Sequence, residues 1–287
     1  MTLLAVVIFS AAMLFTSCKK EVSANTAVVP AGKQQVTIYM NDDPANYSKV
    51  MVDIQRVEIK TDTGRNHHDD RYYDGDDDSD DDRNGHDSYG QWETLKVTPG
   101  VYDLLRLRNG VDTMLANGNS WKGRISKIRI TLGTNSTLWT DAIHNFPLSI
   151  CESKPYVYIK VASNTIDTLA GGAIKLRIDF DIAKSIKNKN GGYCLRPQIK
   201  CYSERNTGSV EGKVFPKDAK AMVAVFNATD TAYAFPEDGG EYKIKGIKEG
   251  AYSIRFDATS PYLDSTITNI RVRKGEDTKV STVTLRK

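Results

Sequence analysis

The chain has 287 residues, 40% hydrophobic, 26% charged and 9% aromatic, with 21 Gly and 9 Pro. This composition excludes a wholly disordered, collagen-like or polytopic membrane chain and suffices for one large domain or two modest ones. The net charge of +3 hides an asymmetry: Asp62 to Asp87 holds eleven Asp and three Arg with no Glu or Lys, so it carries −8 and the remainder +11.

Leu3 to Phe15 is apolar except for Ser10. Thirteen residues in a helix cover about 20 Å, short of the roughly 30 Å hydrocarbon core, so the run predicts a signal-peptide core and not a spanning helix. Leu14-Phe15-Thr16-Ser17-Cys18 resembles the lipobox of bacterial lipoproteins. That resemblance implies removal of residues 1–17, lipid attachment at Cys18, and an anchor stable in the membrane once more than one acyl chain is attached. Residues 18–33 are small, polar and aperiodic, which predicts a lipidated flexible stalk. The expected location is the bacterial envelope, at the outer membrane, facing either the periplasm or the exterior.

From Gln34 the pattern has period two. Val36–Met40 and Val50–Ile59 alternate apolar and polar, and Asn41-Asp42-Asp43-Pro44 between them is turn chemistry. Further predicted strands are Trp92–Val97, Val101–Leu107, Ile125–Leu132, Tyr156–Val161, Ile174–Phe180 and Leu195–Tyr202. A short helix is predicted at Val111–Ala116, closed by Asn117-Gly118. Residues 34–203 therefore read as an antiparallel sandwich or open barrel with an acidic insertion over 62–89. Residues 204–208 read as a linker. Residues 209–287 carry about seven short strands separated by turns such as Gly239-Gly240 and Lys274-Gly275, which predicts a small second β-sandwich. The expected fold class is all-β, two antiparallel β-sandwich domains in tandem.

Asn41-Asp42-Asp43-Pro44-Ala45, Val101-Tyr102-Asp103-Leu104-Leu105, Ile128-Arg129-Ile130, Ile178-Asp179-Phe180-Asp181 with Ser185-Ile186, and Leu195-Arg196-Pro197-Gln198-Ile199 resemble, in order, the bacterial domain-of-unknown-function 4382 family. That family implies no assigned activity. Gly208–Val214, Asp238–Tyr242 and Gly246–Tyr252 are similar to the carboxypeptidase-regulatory-like sandwich, related to transthyretin-like and starch-binding-like folds. This second resemblance implies an Ig-like or prealbumin-like accessory module without catalysis, sometimes sugar-binding.

The acidic run is the strongest local chemical signal. Asp80-x-Asp82-x-Asn84-Gly85 matches the first half of a calcium loop, while position 12 would be Gln91, which cannot supply a bidentate carboxylate. Asp76, Asp78, Asp80, Asp82 and Asn84 are thus candidate ligands for weak calcium binding, and His67 and His68 open an alternative with a transition metal. A solvated acidic loop is the reading favoured by its charge alone. No cofactor is required.

Asp179 and Asp181 share a strand face, as paired carboxylates would, but one of them capping the turn into Ala183–Ile186 suits the pattern better. His144 is the only His outside the acidic run, and no nucleophile–base motif is present, so an enzyme is not expected. Trp92 reads as core, whereas Trp121 and Trp139 follow polar stretches and are the candidate carbohydrate-stacking residues. Alternating Lys and Arg predict a solvated sheet face and no nucleic-acid partner. Cys151, Cys194 and Cys201 predict one disulfide and one thiol, with the pairing open. The resulting expectation is a membrane-anchored, non-catalytic binding or adhesion module whose partner is a glycan or an envelope protein; the alternative is a structural spacer or assembly partner.

Overall fold

The computed structural model describes residues 29–43, 47–62, 90–107 and 109–287. Cys18 and the acidic-run residues Asp76, Asp78, Asp80, Asp82 and Asn84 lie outside the described residues. The described chain is all-β. Its strands are β1 (Lys33–Asp43), β2 (Lys49–Asp62), β3 (Gly90–Val97), β4 (Gly100–Asp103), β5 (Thr113–Trp121), β6 (Arg124–Leu132), β7 (Thr137–Trp139), β8 (Asn145–Ile150), β9 (Tyr156–Lys160), β10 (Ile166–Thr168), β11 (Ile174–Asp181), β12 (Ile186–Lys189), β13 (Gly192–Leu195) and β14 (Ile199–Tyr202). After them come β15 (Gly208–Phe215), β16 (Met222–Phe226), β17 (Thr231–Ala234), β18 (Glu241–Ile247), β19 (Gly250–Asp257), β20 (Ser265–Val272), β21 (Asp277–Lys279) and β22 (Val283–Thr284).

β1 to β14 form one fourteen-stranded sheet around a core that runs from Val36 to Leu195. β15 to β22 form two four-stranded sheets around a separate core, from Val210 to Leu285. Alternation explains why the strands form where they do: β1 buries Val36, Ile38 and Met40 and turns the residues between them outward. In β2 the buried set changes phase, from Val50, Val52 and Ile54 to Val57 and Ile59. A register shift between Ile54 and Arg56 against β6 makes that change, so the apolar face follows the core as the strand passes from β4 and β7 to β3.

Several expectations need correction. Asn41-Asp42-Asp43, read as a turn, ends strand β1 and pairs with Asp179–Asp181. The predicted helix over Val111–Ala116 does not form: Thr113–Ala116 open strand β5, and the supposed cap residues Asn117 and Gly118 pair with Thr37 and Val36. A bulge opposite Ile38 and Tyr39 turns both Leu115 and Ala116 into the core, and that adjacent apolar pair imitates a helical stripe. Val101–Leu107 is a strand only to Asp103; Leu104, Leu105 and Leu107 are all buried, which a 3-10 turn permits and an alternating strand does not. Leu195–Tyr202 splits into β13 and β14 around Pro197, which has no N–H to give a ladder. Antiparallel pairing is general but not universal: β1 with β11, β8 with β13, and β15 with β21 and β22 are parallel.

Cys151 and Cys194 form the disulfide, joining the end of β8 to β13 with a Cα separation of 5.0 Å. Cys201 is the free thiol among the described cysteines, and burial pushes its pKa up.

Candidate functional site

Parallel pairing of β1 and β11 sets Asn41 opposite Asp179, so residues 138 apart in sequence become neighbours. Asn41 Nδ2 donates to Asp179 Oδ1 at 3.2 Å, and Tyr202 Oη donates to Asn41 Oδ1 at 3.0 Å. Burial raises the Tyr202 pKa well above the ordinary phenol value, so this hydroxyl keeps its proton. Asp181 caps the four-residue helix α1 (Ile182–Ser185): Lys184 N donates to its Oδ1 at 3.0 Å and Lys184 Nζ to its Oδ2 at 2.7 Å. Ser185 Oγ then donates to the Asp181 carbonyl at 2.6 Å and accepts from Gln198 N at 2.8 Å. The two carboxylates on one strand face are therefore engaged in holding chain segments together. Of the two candidates for the cap, it is Asp181 that fills the role.

A second network forms a charged seam between the two cores. Arg177 on β11 is 3% exposed, with Nη1 3.1 Å from Asp167, Nε 3.5 Å from Asp112 and Nη2 2.5 Å from Glu204. Lys245 on β18 reaches the same Asp112 at 3.2 Å. Asn109 Nδ2 donates to the Phe235 carbonyl at 2.8 Å. Gly246, at φ +73°, lies so close to the Tyr202 ring that a Cβ would stand 3.3 Å from it. Sequence reading misses this seam, because its members come from segments far apart and no local spacing joins them.

The third arrangement is an aromatic row on the outer face of β3, β2, β6 and β9. Glu58, Arg129 and Tyr158 are aligned across three strands. Arg129 grips the buried Glu58 with two hydrogen bonds, at 2.7 and 2.8 Å, which raise the pKa of an already strong base. Its guanidinium lies 4.5 Å from the Trp92 ring centre and 5.9 Å from that of Tyr156. Trp92 and Tyr158 are 5.8 Å apart and Tyr158 and Tyr156 5.3 Å, centre to centre. Trp92 is thus half-buried on the outer face and not in the core, a correction with a plain cause: it sits opposite Lys60, on the face away from Leu95.

The two tryptophans singled out for stacking are not brought together. Trp121 is 43% exposed, with the Lys33 ammonium 3.6 Å from its ring centre, and its backbone N–H donates to the Glu93 carboxylate, on a residue that pairs with Ile59. Trp139 is half-buried and pairs with Lys49 at the other end of β2. Ten residues of strand between those rows correspond to about 30 Å. Tyr156-Val157-Tyr158 does carry the signal that sequence could have offered, two rings on one strand face, but only the register of β6 and β9 adds Arg129 and only that of β2 and β3 adds Trp92.

Among the described residues, no group of three His, Cys, Asp or Glu side chains is placed to hold a metal ion. No helix among them is long and apolar enough to cross a membrane.

No curated protein matches the chain. Solved structures similar to parts of it include a type II cohesin–X-dockerin complex from Acetivibrio cellulolyticus, 24% identical with a TM-score of 0.23, over 27% of this chain and 56% of that one. The chain thus spans little more than half the length of that protein. The Bacillus anthracis TIE protein is 13% identical over 89% of this chain and 34% of its own, with a TM-score of 0.23. The shaft pilin SpaA of Lactobacillus rhamnosus GG is 9% identical over 88% and 97% of the two chains, with a TM-score of 0.22. Residues 33–197, more than half of the sequence and the stretch that holds the Asn41–Asp179–Asp181 network, match the family described as Domain of unknown function (DUF4382), and the chain belongs to that family.

Proposed function

We propose that the chain is a non-catalytic binding module of the bacterial envelope, tethered through a lipid on Cys18, and that Trp92, Tyr158 and Tyr156 form its principal glycan-binding face. The observation that carries this reading is the aromatic row itself: three rings in succession on an outward sheet face, with Arg129 held among them by Glu58. Sugar rings stack on such faces, and a fixed guanidinium adds directed hydrogen bonds at little further entropy cost. Trp121 and Trp139 would act as separate secondary contacts. The non-catalytic reading is supported by Asp179 and Asp181, whose carboxylates serve hydrogen bonds that hold the fold. The second half, as a regulatory-like sandwich, would be an accessory to the first.

The test is sedimentation of the purified full chain with cellulose, starch granules and insoluble xylan. Trp92→Ala with Tyr158→Ala should weaken binding about tenfold or more, equivalent to about 1.4 kcal/mol. In the producing bacterium, Cys18→Ala should move the protein from the membrane fraction to the soluble one. Equal polysaccharide binding by variant and parent refutes the face, and no binding by either favours the spacer reading. That second reading has its own support in the Arg177 seam, which would fix the two halves as one stiff unit.

A further inference from the structure

A cleft of about 840 Å³ opens where the two halves meet, within the size range of ligand pockets and at the kind of junction where they concentrate. One wall comes from the first half and the connection that follows it: Asn164 and Thr165 in the 3-10 turn Ser163–Thr165, then Asn206 and Thr207. This wall is tied in place. Asn206 Nδ2 donates to the Asn164 carbonyl at 2.7 Å, and Thr207 Oγ1 donates to the Ser203 carbonyl at 2.6 Å. The opposite wall belongs to the second half. Lys248 and Glu249 lie in the turn between β18 and β19, Arg271 on β20 pairs with Ala251 on β19, and Lys274 follows β20. Gly275 N donates to the Thr207 carbonyl at 2.8 Å, which holds the Lys274 segment against the first wall. Gly250 and Ala251, beside these charges, carry almost no side chain, and their small size leaves the space open.

Charge sets this cleft apart. Lys248, Arg271 and Lys274 stand against one carboxylate, Glu249. Elsewhere on the second half Lys213, Lys243, Lys245, Arg255 and Arg273 each hold a carboxylate. Among the described residues none of the three lining cations does, and all three are exposed. The cleft is therefore net positive, and a concave surface concentrates such a field. Cys201, also in the lining, adds no negative charge, because burial raises its pKa. Tyr202 is the one ring among the lining residues; it is 7% exposed and packs on Gly246, so neither a nucleobase nor the flat face of a sugar has a ring to stack on. The volume far exceeds that of an inorganic anion. These features suit a hydroxyl-rich molecule that carries an acid: the cations take the acid, and the amides and hydroxyls of the first wall take the hydroxyls. We propose that this cleft binds an acidic saccharide, its charge carried as a carboxylate or a sulfate. The proposal rests on the saccharide reading of the chain but on different residues from the aromatic row, and the two can fail separately.

The experiment is calorimetric titration of the full chain with digalacturonate, N-acetylglucosamine 6-sulfate and cellobiose. The parent should bind at least one of the two acidic sugars, and whichever binds identifies the group the cations hold. Arg271→Gln with Lys274→Gln should weaken that binding about tenfold and leave any affinity for cellobiose as in the parent. Ala251→Leu fills the cleft without changing its charge and should weaken the acidic sugar as well. Lys187→Gln removes an exposed cation from β12, outside the cleft, and should change nothing. All these positions are exposed, so each variant keeps the melting temperature of the parent. No binding of either acidic sugar to the parent would overturn the proposal. Unchanged affinity in the Arg271 and Lys274 variant or in Ala251→Leu, or an equal loss in Lys187→Gln, would overturn it as well. Trp92→Ala with Tyr158→Ala separates the two sites: acidic-sugar affinity lost there but intact in the cleft variants refutes the cleft and leaves the aromatic face standing, whereas the reverse result supports the cleft alone.

Discussion

Replacing Arg177 with Met removes a cation from the seam while leaving a side chain of similar length to fill the space. Arg177 is 3% exposed and Asp167, 3.1 Å away, 5% exposed, so the substitution strands a carboxylate that water cannot reach. Breaking a buried pair in this way costs about 3–5 kcal/mol. The other two contacts add little. Asp112 keeps Lys245 at 3.2 Å, and Glu204 is 45% exposed, where screening holds a pair to about 1 kcal/mol or less. Ser203 Oγ and Glu204 N still donate to Asp167, which places the expectation in the lower half of the range, about 3 kcal/mol. At roughly 2–4 °C per kcal/mol for a chain of this size, the melting temperature should fall by about 10 °C. Urea denaturation followed by tryptophan fluorescence measures the loss directly. Asp167→Asn on the Met background removes the stranded charge and should recover more than about 1 kcal/mol, while Arg177→Lys should fall between parent and Met because an ammonium cannot span three carboxylates. A loss below about 1 kcal/mol for Arg177→Met, or no recovery by Asp167→Asn, would refute the view that this guanidinium holds the seam.

Two further expectations concern other parts of the first half. The Cys151–Cys194 bridge spans 43 residues, for which loop-closure entropy gives about 4 kcal/mol; Cys151→Ser with Cys194→Ser should lower stability to denaturant by about 2–4 kcal/mol, and an unchanged midpoint would refute this. Asp141 accepts from the backbone N–H groups of Ile143 and His144 and pairs with the His144 ring, which together lower its pKa from 3.8 to about 2. Because the folded value is the depressed one, its contribution to stability is complete above about pH 4 and is lost as pH falls through about 2. Asp141→Asn should remove that acid-limb dependence, and an NMR titration placing the parent carboxyl at its ordinary value would contradict it.

Alternation made Val36–Met40 and the Ile128–Leu132 part of Ile125–Leu132 legible as strands, since there one face only is buried and the period-two signal survives intact. It fails at Leu115-Ala116, where a bulge sends neighbours to the same side, and at Leu104-Leu105, where a tight turn does so. That Asp179 or Asp181 caps the turn was legible because capping is local, three residues from donor to acceptor; the structure makes it Asp181. The disulfide and the seam were not, because three cysteines or five scattered charges have many possible pairings and only the tertiary fold selects among them. Trp92 shows the same limit at a single residue. Its strand was expected, but which face of that strand meets the core depends on strands more than thirty residues away.

The parallel pairing of β1 with β11 also bears on how the chain reaches this state. Val36, Ile38 and Met40 complete their sheet only when residues 174–181 arrive beside them, and a parallel neighbour cannot be supplied by a hairpin. Strand β1 can pair earlier with β5 on one edge, leaving its other edge unpaired until more than half of the sequence has joined the assembly. Folding of residues 33–202 is therefore governed by its longest-range contact and not by its turns, which places it among slow, high-contact-order topologies. A nascent chain that ends before β11 carries β1 as an open, apolar strand edge, the kind of surface that chaperones shield and that other chains can capture.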